Sequence, residues 1–449
     1  MRRLLGLSTF LLCLLPTTLG FAQGWLADRA RTEGPGFRVG DFELHPGIGA
    51  EVGYDSNLYF TEDSPTGGRQ RVDSAILRIT PHFMFSTIGA ARRAEGEARD
   101  TGDSALPTVA FRGGVSASYY EFFADSNRRN VEINGGLRLT ILPERPFNVT
   151  IYNEFQRSVR PFTENFGNAS PARIGNQAGI DLVGQTDGGV VAFRLSYNFG
   201  LDFFEDAQFQ FGNAFTHRVT LQETFRFLPS TAIVHDTTFE YQDYMSELAS
   251  SAPSQLNDNA RIRTRIGLNG ALTENISLLG MVGYAAGFYG SNPALPGFRQ
   301  DFDSIVAQVE LRWQIVEGTR LSLGYDRDFY PSFLGNYYSR DRGYVNFQAT
   351  IGGSFLLGVD AEVSFLDFGS IVGPTGTIID LSNGQREDVR VVAGVFGEYR
   401  ITDWLGVNAS ARYSAGFTDY QYSAAVTGSF IDPAQFNKFE VFGGVRVFY

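Results

Sequence analysis

The 449-residue sequence is poor in the residues most chemistry needs: one cysteine, four histidines, four methionines and three tryptophans. The one cysteine is Cys13, so no disulfide framework or thiolate site is available to the rest of the chain. After the first two dozen residues no run of about 18 apolar residues occurs, which excludes helical membrane spans. A basic stripe is also missing. Lys and Arg total 37 against 49 Asp and Glu, a formal charge of -12, so nucleic acid is not an expected partner.

What is present begins with "MRRLLGLSTFLLCLLPTTLGFAQG". Arg2 and Arg3 precede an apolar run from Leu4 to Leu15, and Gly20 and Ala22 offer small residues for cleavage. This reads as a secretory signal peptide over 1–22, cut near Ala22. Leu11 and Leu12 are too large for a lipoprotein cleavage box before Cys13, and the residues after Arg2-Arg3 fit a twin-arginine signal poorly. Removing two arginines takes the charge from -12 to -14.

From about residue 43 onward the pattern is period-two alternation in segments of roughly 10 to 16 residues. "VEINGGLRLTIL" places Val131, Ile133, Leu137, Leu139 and Ile141 on one face, with Glu132, Asn134, Arg138 and Thr140 on the other. "SIVAQVELRWQIV" sets Ile305, Ala307, Val309, Leu311, Trp313 and Ile315 against Gln308, Glu310, Arg312 and Gln314. The final stretch "NKFEVFGGVRVFY" has Phe439, Val441, Val445, Val447 and Tyr449 in its apolar register.

Connections alternate too. Short ones ("PERP", "DGG", "PST", "TEN", "EGT", "TDW") take turns with polar stretches such as Ser158 to Arg173, Ser246 to Asn259, Gly290 to Asp301, Pro331 to Asp341, Gly369 to Arg386 and Gln421 to Phe436. Short turns at one end and long loops at the other predict an all-β fold, a transmembrane antiparallel up-and-down β-barrel with the turns in the periplasm. The count comes to about 18 strands, with 16 as the alternative. The expected organisation is a periplasmic segment over 23–42 and a barrel over 43–449. A soluble β-sandwich also alternates, but it does not sort its connections by length or gather aromatics at segment ends. Here they do gather: Tyr119, Tyr120, Phe122 and Phe123; Phe203 and Phe204; Phe288 and Tyr289; Phe329 and Tyr330; Tyr337 and Tyr338. One connection breaks the rule: Ile88 to Pro107 should be a short turn but is long and charged, either a frayed turn or a periplasmic docking segment.

The stretch "FRVGDFELHPGIGAEVGYDSNLYF", with its F-x-x-G-x-F-x-L-x-P lead and "GYDSN" at Gly53 to Asn57, resembles the opening of exopolysaccharide-operon outer-membrane proteins, the β-barrel porin-2 type. The resemblance implies export of a polysaccharide across the bacterial outer membrane, fed by periplasmic export and inner-membrane synthesis proteins. The apolar C-terminal register ending on Tyr449 is similar to the signal read by barrel-assembly machinery, so that machinery and outer-membrane lipid are the other expected partners.

No cofactor, metal or catalytic residue is expected. His45 and His82 share the predicted lumen face near the turn end without a carboxylate or thiolate close in sequence. His217 falls on the lipid-facing register and His235 follows the "PST" turn, and neither comes with a defensible triad. The lumen is where function should live, and its residues are of mixed sign. Candidates for a substrate track are Arg138, Arg194, Arg261, Arg263, Arg265, Glu310 and Arg312, with Tyr152 and Phe442 as inward aromatics. Arg261, Arg263 and Arg265 form a ladder of like charge about 7 Å apart. Either acids on neighbouring strands neutralise it, or it is a track for an acidic sugar. The expected function is export of a polysaccharide through the lumen, with a general or sugar-selective diffusion porin and a structural or adhesive surface barrel as the alternatives.

Overall fold

The computed structural model describes residues 36–449 apart from 64–69, 88–107, 144, 160–171, 246–257, 291–300, 333–336, 370–385 and 423–431. The connection 88–107 therefore lies outside the described residues.

A short β1 (Phe37–Val39) folds back through Gly40, whose φ is +60°, onto β2 (Phe42–Asp55). There follow β3 (Ser74–Thr87), β4 (Val109–Phe122), β5 (Asn130–Ile141), β6 (Phe147–Ser158), β7 (Arg173–Gln185), β8 (Val191–Phe204) and β9 (Ala214–Leu228). Next come β10 (Thr231–Tyr244), β11 (Asn259–Ala271), β12 (Ile276–Tyr289), β13 (Phe302–Val316), β14 (Thr319–Pro331) and β15 (Tyr337–Ile351). The last are β16 (Phe355–Phe368), β17 (Glu387–Thr402), β18 (Leu405–Phe417), a two-residue pair β19 (Gln421–Tyr422) and β20 (Asp432–Pro433), and β21 (Phe436–Phe448). Each long strand pairs antiparallel with its sequence neighbours, and β21 pairs with β2, with Gly47 opposite Phe448 and Asp55 opposite Glu440. The 18 long strands thus close on themselves, which removes every free edge.

Burial is inverted relative to a soluble protein. Outward registers expose apolar side chains, among them Val52, Ile305 and Phe365, while Glu132, Ser118 and Asn57 on the inner side are completely covered. That is the order hydrocarbon imposes: backbone groups are all paired within the ring, and the apolar face meets lipid. No helix among the described residues is long and apolar enough to cross a membrane.

The structure corrects two expectations. Pro331 to Asp341 is not a long loop, because β14 runs to Pro331 and β15 starts at Tyr337, with Tyr330 opposite Tyr338. Its charges concealed a strand: Arg340 and Arg342 point inward to Asp326, and Asp341 points outward to the Tyr325 hydroxyl at 2.5 Å. The aromatic doublets, moreover, do not all form a lipid girdle. Period two sends one member out and its neighbour in: Phe203 and Phe288 are exposed, whereas Phe204 and Tyr289 are buried. The inward members hold down loops at the loop end of the barrel. Tyr338, Leu366 and Phe368 pack with Ala434 and Tyr420, and Tyr244 packs with Phe211.

Candidate lumen wall

The arginine ladder is neutralised. Arg261 is directly opposite Glu240 on β10, and Arg265 is directly opposite Asp236; each pair is bonded, the second at 2.8 Å. Glu240 also receives Arg218 from β9 at 2.5 Å. Arg263 has Thr238 opposite it and instead reaches Asp328 on β14. It can lie along the wall because β12 supplies small residues there: Ala285 is opposite Arg263 and Gly283 is opposite Arg265. A Cβ on Gly283 would sit 1.9 Å from the Thr264 carbonyl oxygen and 2.8 Å from Cγ of Arg265. Gly283→Ala is therefore expected to push β11 and β12 apart at the ladder and to destabilise the barrel by about 1–3 kcal/mol, the cost of overpacking. A lowered midpoint for loss of the compact, heat-modifiable band on electrophoresis would show it.

Beyond the ladder the pairing continues. Glu310 accepts from both Arg312 and the Tyr344 hydroxyl, and Arg342 bridges Asp326 and Glu362. On the far wall Arg78 pairs with buried Glu51 at 2.6 Å, and Arg446 with Glu398. Arg138 meets Glu154 only loosely, at 3.9 Å, and lies over the Tyr152 ring. Arg194 on β8 and Arg226 on β9 face the same side near the turn end and have no carboxylate partner among the described residues. The uncompensated positive charge of this wall is therefore at that mouth and not on the ladder. Of these, Arg138, Arg194, Arg261, Arg263, Arg265, Glu310 and Arg312 are the lumen-facing set expected from the sequence, whereas Asp328, coming from three strands away, is not visible in it.

The wall also carries an inward-folded loop that the sequence reading missed. Asn57, fully buried, takes the Asp55 carboxylate at its backbone N–H (2.9 Å) and donates its side-chain amide to the carbonyls of Thr61 (2.7 Å) and Asn437 (2.8 Å). This fixes Leu58 against Ile76, Tyr120, Phe122 and Phe442 on the inner face. Lys438 bonds Asp55 at 2.7 Å and lies over Phe60, while Arg128 caps the Leu58 carbonyl at 3.1 Å. Tyr59 donates to Asp125 at 2.5 Å; burial, aided by that bond, pushes its phenol above the usual range, and burial pulls the Arg128 guanidinium down. "GYDSN" is thus the hinge by which a strand end turns into the lumen. Asn57→Leu leaves two buried carbonyls unpaired, at about 1–3 kcal/mol each. Expected is faster proteolysis within residues 56–73 in intact vesicles than in the wild type.

The sequence reading passed over a carboxylate beside His45: Glu43, two residues before it, lies 3.8 Å from its Nε2. His45 and His82 are inward on adjacent strands, with His82 opposite Gly47 and His45 opposite Met84, and no cluster of metal-ligating residues occurs among the described residues. His217 is outward and bonds the Tyr197 hydroxyl at 2.9 Å. His235 is also outward, four residues from the start of β10 and 3.0 Å from Glu223. Phe439, Val441, Val445, Val447 and Tyr449 are all exposed outward. Tyr449 donates its N–H to Pro46 at 2.9 Å and stacks on Phe37, with ring centres 4.2 Å apart, sealing the seam.

This is a β-barrel of outer-membrane type. No family model and no curated protein matches the sequence. Among solved structures, the fold is similar to OccAB3 of Acinetobacter baumannii, 12% identical with a TM-score of 0.45, over 90% of this chain and 99% of that one. OpdK of Pseudomonas aeruginosa, solved with vanillate, is 8% identical with a TM-score of 0.45, over 90% and 99%. The siderophore receptor PirA of Pseudomonas aeruginosa is 10% identical with a TM-score of 0.39, over 90% and 80%.

Proposed function

We infer that the protein is a diffusion porin of the outer membrane, passing small hydrophilic solutes through the barrel lumen. The observation that carries this reading is the closed ring of 18 strands whose inner wall is polar and charge-compensated at the ladder. Rings of 16 to 18 strands leave room for water. A wall of paired charges offers sugars hydrogen bonds weak enough to enter and leave, without a strong field for either ion sign.

Polysaccharide export, which the resemblance of Phe37 to Phe60 implies, has less support. The "GYDSN" residues that carried the resemblance have a structural task, pinning the inward loop, that any solute would be compatible with. Liposome swelling with the purified full-length chain distinguishes the two. A diffusion porin gives rates that fall steadily from pentoses to trisaccharides. Absence of swelling with the smallest sugar, together with loss of surface polysaccharide and its periplasmic build-up in a deletion strain, would replace this reading by export.

A further inference from the structure

Glu223, His235, Thr237 and Thr264 meet on the lipid-facing wall of β9 to β11. Nδ1 of His235 lies 3.0 Å from Oε2 of Glu223. Its Nε2 lies 3.1 Å from Oγ1 of Thr264 and 3.2 Å from Oγ1 of Thr237, and the two hydroxyls are 2.9 Å apart. Strand register makes the arrangement: His235 is directly opposite Glu223, and Thr237 directly opposite Thr264. A carboxylate oxygen only accepts, so Nδ1 carries the imidazole proton and Nε2 presents its lone pair to a threonine hydroxyl. Carboxylate, imidazole and hydroxyl in that order, each within hydrogen-bond reach of the next, is the constellation that activates a nucleophile. The acid and Thr264 stand 12 and 29 residues from the histidine in sequence and on other strands, so no spacing motif announces them. Exposed apolar side chains surround the group, Val219, Phe239 and Ile262 toward the loops and Phe225 and Ile266 toward the turns.

An ionisable pair on a lipid-facing wall is costly, and an apolar pair would hold the same strands together, so its presence points to use. We propose that these four residues form an esterase centre on the outside of the barrel, which hydrolyses the acyl esters of glycerophospholipids in the leaflet at the turn end. Depth suits that substrate. His235 stands four residues from the start of β10, on the order of 10 Å above the turn at about 3.3 Å per residue and a tilt near 40°. Strands of this length rise about 35 Å against an apolar band about 25 Å tall, which puts the group roughly 5 Å inside the band, next to the ester carbonyls. In the first step Oγ1 of Thr264 attacks the ester carbonyl carbon while its proton passes to Nε2 of His235. The oxyanion accepts from the Thr237 hydroxyl, and Glu223 stabilises the imidazolium. The ester C–O bond then breaks, the leaving glycerol oxygen takes the proton from Nε2, and lysophospholipid departs from acyl-Thr264. In the second step a water gives its proton to Nε2 and attacks the acyl carbon; the bond to Oγ1 breaks, Oγ1 recovers the proton, and the fatty acid leaves. Glu223 is a positioning residue, and the other three are catalytic. Because the group faces away from the lumen, this activity is independent of what the pore passes.

The test is hydrolysis of phosphatidylethanolamine carrying a labelled acyl chain, by the purified protein in detergent–lipid micelles, with every variant first shown to keep its heat-modifiable band. The wild type is expected to release fatty acid and lysophospholipid in equal amounts. His235→Asn is expected to lower turnover about 10²- to 10⁴-fold, the usual contribution of a general base, and Thr237→Ala about 10²- to 10³-fold, that of one oxyanion donor. Glu223→Gln is expected to lower kcat with KM unchanged, since the charge it stabilises exists only on the way to the transition state. A long-chain alkylsulfonyl fluoride, which traps an activated hydroxyl, is expected to add its mass to the peptide containing Thr264 in the wild type and not in His235→Asn. Release of fatty acid by the His235→Asn variant at the wild-type rate would mark a copurifying lipase and overturn the proposal. So would a folded wild type that neither releases fatty acid nor takes the label. Label on Thr237, with Thr264→Ala still active, would overturn the choice of nucleophile.

Discussion

Replacing Arg261, Arg263 and Arg265 together with Gln is expected to make the lumen prefer cations. The reason is the pairing: the three guanidiniums face Glu240, Asp328 and Asp236, so removing them does not erase a positive track but strips three carboxylates of a partner. Glu240 would keep Arg218 as partner, while Asp236 and Asp328 would be left facing the lumen. At an effective dielectric near that of a protein surface, a bare charge a few ångströms from a passing ion contributes on the order of 1 to 4 kcal/mol. Even the lower figure changes ion occupancy about fivefold. The reciprocal triple, Glu240→Gln, Asp236→Asn and Asp328→Asn, should produce the opposite preference. Reversal potentials across a planar bilayer in a salt gradient measure both. Equal potentials in the two triples and the wild type would mean that the solute path avoids β10 to β14. By contrast, Arg194→Gln and Arg226→Gln, at positions with no carboxylate partner among the described residues, should reduce anion entry from the turn-end mouth without creating a cation site.

These contrasts mark what the sequence could and could not say. Alternation of the kind seen in Val131 to Ile141 is a local property, so the inward set from Arg138 to Arg446 was legible, and sorting by turn length gave a strand number that the ring confirms. Partners opposite on the next strand were nearly legible, as Glu240 is to Arg261. The link from Arg263 to Asp328 was not, because it depends on β12 carrying Gly283 and Ala285 where other strands carry side chains. The inward loop was hidden for a similar reason. In the sequence "GYDSN" carries only a resemblance, and its structural task emerges when the Asn437 carbonyl, 380 residues later, accepts from Asn57. The charged start of β15, Tyr337 to Asp341, reads as loop in the sequence because Asp341 finds Tyr325 at the outer face, a pairing that exists only once register is set. Glu223 and His235 show the converse. Each is unremarkable alone, and only the register that puts them opposite one another on the lipid side makes them informative.

Arg446 is where the closing strand is most vulnerable, and Arg446→Met is expected to cost about 3–5 kcal/mol, the range for breaking a buried ion pair by removing one partner. Arg446 and Glu398 are both 2% exposed, in contact with one another across β18. Phe448 covers the arginine, with its ring centre 5.3 Å from the guanidinium carbon, and Arg400 approaches the same ring at 4.9 Å. Met fills most of the volume of Arg, so the loss would come from the stranded Glu398 carboxylate, whose other cation, Arg400, is 3.9 Å away. Because β21 makes the seam with β2, the damage falls on closure: Gly49 is opposite Arg446. The double variant Glu398→Leu with Arg446→Met removes both charges and should recover most of the stability, since an apolar pair of similar size is commonly no worse than a buried salt bridge. Urea titration of the folded fraction in lipid, followed by the heat-modifiable band, separates the cases. A double variant as weak as the single would mean that the arginine acts through its packing under Phe448, and that the charge pair contributes little to holding the barrel shut.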